Sequence, residues 1–194
     1  MLTITIDCNM VQKQIYIITG GPGFGKTELI EELRRSGYLC SGEFAREIIE
    51  HQQKIGGDLL PWKNAKLFQE EILRLRKDFY DSVPDKTTAF ADRGIPDQLA
   101  FAKYKGFGTP EILKESAEKY RYAPQVFVTP PWREIFVNDS TRSESYDEAI
   151  RIHQSILETY SGLNYQINEL PLFSVTERVT FMLKTIKNLL YHEH

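Results

Sequence analysis

The sequence has 194 residues, of which 41% are hydrophobic and 26% are charged, and its formal net charge is −3. This length is enough to bury one sizeable core, while the slight negative charge argues against wrapping nucleic acid or lying on an anionic membrane. No apolar run in the sequence reaches membrane-spanning length, and Cys8 and Cys40 are too few for a disulfide framework, which predicts free thiols in the cytoplasm.

Five short strand-like runs alternate with helical patterns along the chain. The runs cover residues 14–19, 38–42, 87–92, 125–130 and 165–170. Between them, apolar residues recur at helical spacing, as in Phe68, Ile72, Leu75 and Phe79. This alternation predicts a three-layer α/β/α fold with a five-stranded parallel sheet, strand order 2-3-1-4-5 and right-handed crossovers. We predict a single domain at residues 14–194, preceded by an N-terminal extension at residues 1–13.

A glycine-rich segment follows the first predicted strand and precedes a helical pattern. The residues that we predict to bind nucleotide are Gly20, Gly21, Pro22, Gly23, Phe24, Gly25, Lys26 and Thr27. They match G-x-x-x-x-G-K-[ST], the P-loop motif, in the strand–loop–helix context that the motif requires. Its backbone N–H groups surround β- and γ-phosphates, Lys26 adds a positive charge, and the Thr27 hydroxyl is predicted to ligate Mg²⁺. The segment therefore predicts a P-loop NTPase fold that binds a magnesium nucleotide.

The third predicted strand ends in an acidic residue followed by a basic one. Asp92 falls at the carboxyl edge of the sheet, where doubly wound folds bind ligands, and fits a Walker B carboxylate. It is predicted to hold a magnesium-bound water or to accept a proton from the attacking hydroxyl, and both roles stay open. Arg93 either binds an anionic acceptor or the transferring phosphoryl group, or forms a structural salt bridge. Asp97 is interpreted as a helix-start residue.

Further candidates follow the second and fourth strands. Glu43 and Arg46 lie three residues apart at a predicted helix start and can face the same cleft, where the carboxylate would orient an acceptor hydroxyl. Ordinary first-turn helix chemistry also explains Glu43. Arg133 and Arg142 flank a polar segment that we predict to close over the triphosphate as a lid, with Arg142 neutralising charge on the γ-phosphoryl group. The histidines show no metal-ligand spacing, and His153 is predicted to be packed in a helix.

Six segments, read in order, resemble the AAA_28 family of predicted ATPases. They are "TGGPGFGKT", "GEFAREIIE", "GGDLLPW", "FADRGIPDQLAF", "PPWREIF" and "LNYQINELP". The family is similar to the ribosylnicotinamide kinase domain of NadR and, more distantly, to thymidylate and deoxynucleoside kinases. The resemblance implies a nucleotide-kinase-like fold rather than a hexameric AAA+ machine. It also implies that Asp92 and Arg93 form the acidic–arginine pair of the third strand, that Glu43 is the base, and that Arg142 is a lid arginine.

Two functions are consistent with these residues. The first is a Mg²⁺-dependent ATP phosphotransferase that acts on a nucleoside, nucleotide or related metabolite bound by Glu43, Arg46 and Arg93. The second is a regulatory ATPase or GTPase that works as a nucleotide-dependent switch. The sequence lacks D-x-x-G after Asp92 and has no N-K-x-D motif, which favours ATP over GTP. The acceptor and the oligomeric state stay open.

Overall fold

The computed structural model describes residues 13–136 and 144–192. The strands are β1 (Ile15–Gly20), β2 (Leu39–Cys40), β3 (Ala89–Asp92), β4 (Gln125–Thr129) and β5 (Gln166–Glu169). The helices are α1 (Lys26–Arg35), α2 (Phe44–Ile55), α3 (Ala65–Ser82), α4 (Ile95–Tyr104), α5 (Glu111–Lys119), α6 (Tyr146–Gly162) and α7 (Val175–His192), with a 3₁₀ turn at Arg133–Ile135. The proposed extension falls almost entirely outside the described residues, so its boundary stays a prediction.

The five strands form one parallel sheet in the order β2-β3-β1-β4-β5. The predicted sheet order is therefore confirmed. In the centre, Ile18 of β1 is in register with Asp92 of β3. Because parallel strands end at the same edge, this register brings the glycine loop after β1 and the Asp92 carboxylate together.

Helices cover both faces of the sheet, as predicted. Alternate residues of β1 point to opposite faces, so that Ile17 joins one hydrophobic cluster and Ile18 the other. Ile18 packs with residues of α1 and α7, whereas Ile17 packs with residues of α3, α4, α5 and α6. In the part of the chain that the structure describes, none of the helices combines the length and hydropathy needed to cross a bilayer.

The α2–α3 region packs around a smaller cluster of its own. Its buried residues are Ile49, Leu60, Phe68 and Ile72. The buried face of α3 differs from the predicted stripe, because Arg76 is buried there while Leu75 is only half-buried. The helical period was predicted correctly, but the cation on the inner face was not.

Candidate active site

The glycine loop turns sharply between β1 and α1. Gly25 is the N-cap of α1 and has φ 74°, in the left-handed region that favours glycine. A Cβ atom at Gly25 would lie 2.7 Å from Cδ1 of Ile135, so a larger residue would also collide with the turn after β4. The loop therefore leads into a ten-residue helix whose first N–H groups are available to an anion.

Lys26 lies inside this loop and is only 4% exposed. Its Nζ donates to the carbonyl oxygen of Gly21 at 2.8 Å and, more weakly, to that of Gly20 at 3.4 Å. The ammonium group also acts electrostatically on Asp92. The loop thus holds its lysine next to the Asp92 carboxylate at one edge of the sheet.

Asp92 is 5% exposed, and its Oδ1 atom has no hydrogen-bond partner among the described residues. Its backbone N–H donates to Oγ of Ser41 at 2.9 Å, which joins the end of β3 to the end of β2. Burial raises the pKa of Asp92, and Lys26 and Arg93 offset part of that rise. A buried carboxylate oxygen without a donor fits a magnesium site, since Mg²⁺ takes one or two carboxylates together with phosphates and waters.

Thr27, Glu43 and Arg46 form a connected polar chain beside the loop. The Thr27 hydroxyl donates to Oε2 of Glu43 at 3.3 Å, and Nε of Arg46 lies 3.2 Å from the same oxygen. Arg46 also lies 3.8 Å from Glu50, one turn further along α2. Glu43 is the N-cap residue of α2, so the start of this helix brings the predicted acceptor-binding pair against the predicted magnesium ligand.

Arg93 forms the structural salt bridge that its sequence position left open. Its Nη1 atom lies 3.0 Å from Oδ1 of Asp97, and its guanidinium lies 5.3 Å from the ring centre of Phe101. The backbone of Arg93 has φ 65°, a left-handed conformation that non-glycine residues adopt only when their surroundings impose it. The salt bridge is compatible with acceptor binding, because it uses only Nη1 and the guanidinium retains further N–H donors for an anion.

Asp97 starts α4, as predicted, but it also joins three elements. Its carboxylate accepts from the Gly94 N–H at 2.8 Å, from the Thr19 hydroxyl of β1, and from the Tyr160 hydroxyl of α6 at 2.6 Å. Burial alone would raise the pKa of Asp97, but Arg93, Arg76 and these hydroxyl donors outweigh it and hold that pKa below its ordinary value. The residue is a fully buried structural anchor beneath the site.

We expect Asp97→Asn to lower the melting temperature at neutral pH. The substitution removes a buried charge that pairs with Arg93, and breaking a buried pair costs about 3–5 kcal/mol. Because the folded-state pKa of Asp97 is depressed, its contribution is complete above the unfolded-state value near 3.8 and is lost as the pH falls below it.

Melting curves of both proteins from pH 7 to pH 3 test this expectation. The difference in melting temperature should shrink below about pH 4. Asp58→Asn, which alters an exposed pair with Lys63, serves as the control and should have little effect. A difference that stays constant down to pH 3 would contradict the assigned role.

His153 lies beneath the glycine loop. It is buried, and its ring packs edge-on against Phe24 with centroids 5.8 Å apart. Burial, with Lys26 and Arg93 nearby, lowers the pKa of His153 to about 4. The side chain is therefore neutral and packed at physiological pH, which agrees with its interpretation from the sequence.

Arg178 of α7 lies beside the glycine loop, a position that the sequence did not indicate. It is 3% exposed, and its Nη1 atom lies 3.5 Å from where a Cβ atom of Gly25 would be. Its guanidinium lies 5.4 Å from the ring centre of Trp132, and Nε and Nη1 have no hydrogen-bond partner among the described residues. In the sequence it sits beside an apolar stripe and resembles one of many solvated helix cations.

The predicted lid is only partly described. Arg133 is exposed and lies over the ring of Tyr146 at 5.0 Å, at the start of α6. Arg142, the predicted lid arginine, lies outside the described residues, so its role stays a prediction.

Residues 15–178 match the sequence profile of AAA_28, described as an AAA domain. The chain belongs to the AAA_28 family. No curated protein matches the chain significantly. The resemblance found in the sequence is thus confirmed over most of the length of this family member.

Solved structures with the same fold include several kinases. The deoxyadenosine kinase from M. mycoides, bound to dCMP and dCDP, has a TM-score of 0.61 at 14% identity, covering 90% of this chain and 99% of its own. The thymidylate kinase from Candida albicans has a TM-score of 0.57 at 15% identity, covering 93% of this chain and 94% of its own. The NadR protein in complex with NR has a TM-score of 0.56 at 18% identity, covering 82% of this chain but 44% of its own. The predicted nucleotide-kinase-like P-loop fold is therefore confirmed.

Proposed function

We propose that this AAA_28 protein is a Mg²⁺-dependent ATP phosphotransferase whose acceptor is a small molecule. The observation that carries the proposal is the convergence at one edge of the sheet of Lys26, the Glu43–Arg46 pair and Asp92, whose Oδ1 atom has no hydrogen-bond partner in the part of the chain that the structure describes. The loop alone would serve any nucleotide-binding protein. The acidic and basic side chains facing it are what a second substrate requires.

Each residue has a distinct part in the proposed reaction. Backbone N–H groups of Gly20 to Thr27 bind the phosphates, and Lys26 neutralises charge on the β- and γ-phosphates. Thr27 and Asp92 would hold Mg²⁺, which supplies further neutralisation of the phosphate oxygens. The acceptor oxygen bonds to the γ-phosphorus as the bond to the β–γ bridging oxygen breaks, leaving ADP. Glu43 takes the hydroxyl proton, with Asp92 as the alternative base.

Three arginines would complete the site. Arg46 holds Glu43 in place through their ion pair, and both face the acceptor. Arg93 is oriented by Asp97 and retains donors for an acceptor oxygen. Arg142 would close over the γ-phosphoryl group and exclude water, which limits unproductive hydrolysis.

A screen for acceptor-dependent ADP formation tests the proposal. Purified protein is incubated with Mg²⁺ and ATP, or GTP, in the presence of nucleosides, nucleotides or ribosylated bases, and an acceptor-free reaction serves as the control. We expect at least one acceptor to increase ADP formation and to gain a phosphate by mass spectrometry. Hydrolysis at the same rate with every acceptor and with none would contradict the kinase and favour the regulatory NTPase.

Arg178 and Trp132 are proposed to contact the nucleotide on the outer side of the loop. The chain has two tryptophans, and Trp62 is 60% exposed, so Trp62→Phe leaves Trp132 as the single reporter. We expect ATP to change the fluorescence of Trp132, because the base would displace or stack on the indole–guanidinium pair. Inorganic tripolyphosphate, which lacks a base, should leave the emission nearly unchanged.

An Arg178→Met variant in the same background checks the contribution of the guanidinium. Loss of one charge-assisted contact, about 1.5–3 kcal/mol, should weaken ATP binding at least tenfold. Lys184→Met on the same helix serves as the control. Equal changes in emission with ATP and tripolyphosphate would contradict a contact between Trp132 and the base of the nucleotide.

We also propose that the protein is cytoplasmic, consistent with the free thiol of Cys40, the cysteine that lies within the described residues. Burial raises the pKa of the Cys40 thiol to about 11, so this group is mostly protonated and unreactive at neutral pH.

A further inference from the structure

The last helix of the chain, α7, has a second patterned face that does not contact the sheet. Its inner face is buried in the hydrophobic cluster that also contains residues of α1. On the opposite side, four exposed residues follow one another at spacings of three, one and three positions. They are Glu177, Thr180, Phe181 and Lys184, and we call them the outer stripe of α7. At about 100° per residue they fall within one narrow sector of the helix surface.

An open cavity of about 290 Å³ runs along the outer stripe. Pro171 and Phe173, which precede α7 in the chain, line this cavity together with the four residues of the stripe. Phe173 is 57% exposed and Phe181 is 38% exposed. Large apolar side chains that share one exposed concave surface mark a contact site, because a partner that covers them removes their area from water.

The two charged residues of the outer stripe have opposite signs. The carboxylate of Glu177 accepts from the backbone N–H and the hydroxyl of Ser174, at 3.1 and 2.6 Å, and both donors are uncharged. Neither Glu177 nor Lys184 forms an ion pair with another of the described residues. They do not pair with each other either, because seven residues of α-helix rise by about 10.5 Å. Each charge is therefore available to a partner.

The order of these residues makes the outer stripe complementary to a second copy of itself. Glu177 and Lys184 are equally far from the midpoint between Thr180 and Phe181. A two-fold axis through that midpoint, perpendicular to α7, sets two copies antiparallel and places each Glu177 opposite the Lys184 of the other copy. The phenylalanine rings then meet in the centre, with the charges on either side. A parallel copy would instead oppose like charges, and a nucleic acid would place phosphates against Glu177.

We propose that the chain forms a two-fold symmetric dimer through the outer stripe of α7, with Pro171 and Phe173 extending the contact at both ends. Each subunit contributes one helix and one short segment, which is at the small end of the range for specific interfaces. We therefore expect a dissociation constant on the order of micromolar. Dimer formation requires neither a nucleotide nor the proposed phosphotransferase function.

Sedimentation velocity of the full chain between about 1 and 100 µM tests the proposal. We expect the mean mass to rise from monomer to dimer across this range. Phe181→Asp places a charge in the centre of the contact and should weaken dimerisation at least tenfold. Phe107→Asp makes the same change at another exposed phenylalanine and should dimerise like the unsubstituted chain. Circular dichroism establishes that both variants are folded.

Exchange of the two charges tests the antiparallel orientation. Glu177→Lys gives the stripe two positive charges and Lys184→Glu gives it two negative charges, so each variant alone should dimerise at least tenfold more weakly. An equimolar mixture of the two should form a heterodimer, because the two-fold axis then pairs opposite charges at both positions. Glu177→Lys also removes the contact with Ser174. Recovery in the mixture shows that charge, rather than damage to the helix start, controls association.

Three results would overturn the proposal. The first is a dimer that Phe181→Asp leaves unchanged, and the second is a mixture that associates no better than its components. The third is a chain that stays monomeric up to the highest concentration, which would leave residues 1–12 or a different protein as the occupant of this surface.

Discussion

Replacement of Lys26 by alanine is expected to abolish nucleotide turnover while the chain still folds. The ammonium group bonds loop carbonyls and lies near Asp92, so its removal deprives the phosphates of their buried positive charge. Loss of such a group typically lowers phosphoryl transfer by about 10³-fold or more. Steady-state ADP formation gives the loss of turnover, and circular dichroism with thermal melting establishes that the variant is folded.

Two further variants make the Lys26 result specific. Lys26→Met keeps most of the buried stem and should be as inactive as alanine, because the charge rather than the volume is required. Lys63→Ala removes an exposed lysine that pairs with Asp58 and should retain full activity. Unchanged turnover in folded Lys26→Ala would remove the glycine loop from the mechanism.

Asp92→Asn is expected to lower the rate of Mg²⁺-dependent phosphoryl transfer with every acceptor. The expected loss is roughly 10²–10⁴-fold, the usual contribution of a positioned acid–base group. The carboxylate is buried beside the loop, and its Oδ1 atom has no hydrogen-bond partner in the described ranges. Asparagine keeps the shape of this side chain but lacks its charge. Burial raises the pKa of Asp92, meaning that its surroundings disfavour the charged form. The variant should therefore melt at the same or a higher temperature at neutral pH while losing activity.

Arg93→Ala is expected to affect a different kinetic parameter from Asp92→Asn. If Arg93 binds the acceptor, its loss should chiefly weaken acceptor use, by about 2–4 kcal/mol, and should leave nucleotide affinity nearly unchanged. The ion pair with Asp97 means that some thermal stability is lost as well. Acceptor kinetics per folded molecule, measured separately from nucleotide affinity, distinguish the two contributions.

The Asp97→Asn background gives the sharpest comparison for Arg93. There Arg93 no longer has a charged partner at position 97, so adding Arg93→Ala should cost little further stability. The loss of acceptor use should persist in this background if Arg93 contacts the acceptor. Acceptor kinetics that no longer depend on residue 93 would leave Arg93 with a structural role alone.

The fold was predictable because the sequence patterns that indicate it lie within short segments of the chain. Hydrophobic runs and helical stripes indicated five strands and their covering helices, and the loop from Gly20 to Thr27 marked the functional edge of the sheet. The position of Asp92 followed from its place at the end of a parallel strand beside β1. The three-residue spacing of Glu43 and Arg46 indicated that both side chains lie on one face of a helix, and the structure shows in addition that they form an ion pair.

The remaining site residues depend on contacts between distant segments. Asp97 was interpreted correctly as a helix-start residue, but its partners Thr19 and Tyr160 lie 78 and 63 positions away in the chain. Arg76 and Arg178 lie on helices whose apolar stripes were recognised, and a single cation beside such a stripe is normally solvated. Only the packing of α3 and α7 buries these guanidinium groups.

The separate hydrophobic cluster between α2 and α3 has a consequence for local unfolding. Ile49, Leu60, Phe68 and Ile72 pack with one another, whereas β1 is buried between the two larger clusters on either side of the sheet. Opening α2 and the first half of α3 therefore exposes only a small apolar area, whereas displacing β1, which leads into the glycine loop, would disrupt both large clusters. We therefore expect the α2–α3 wall of the site to open locally at a lower free-energy cost than the strand that carries the glycine loop.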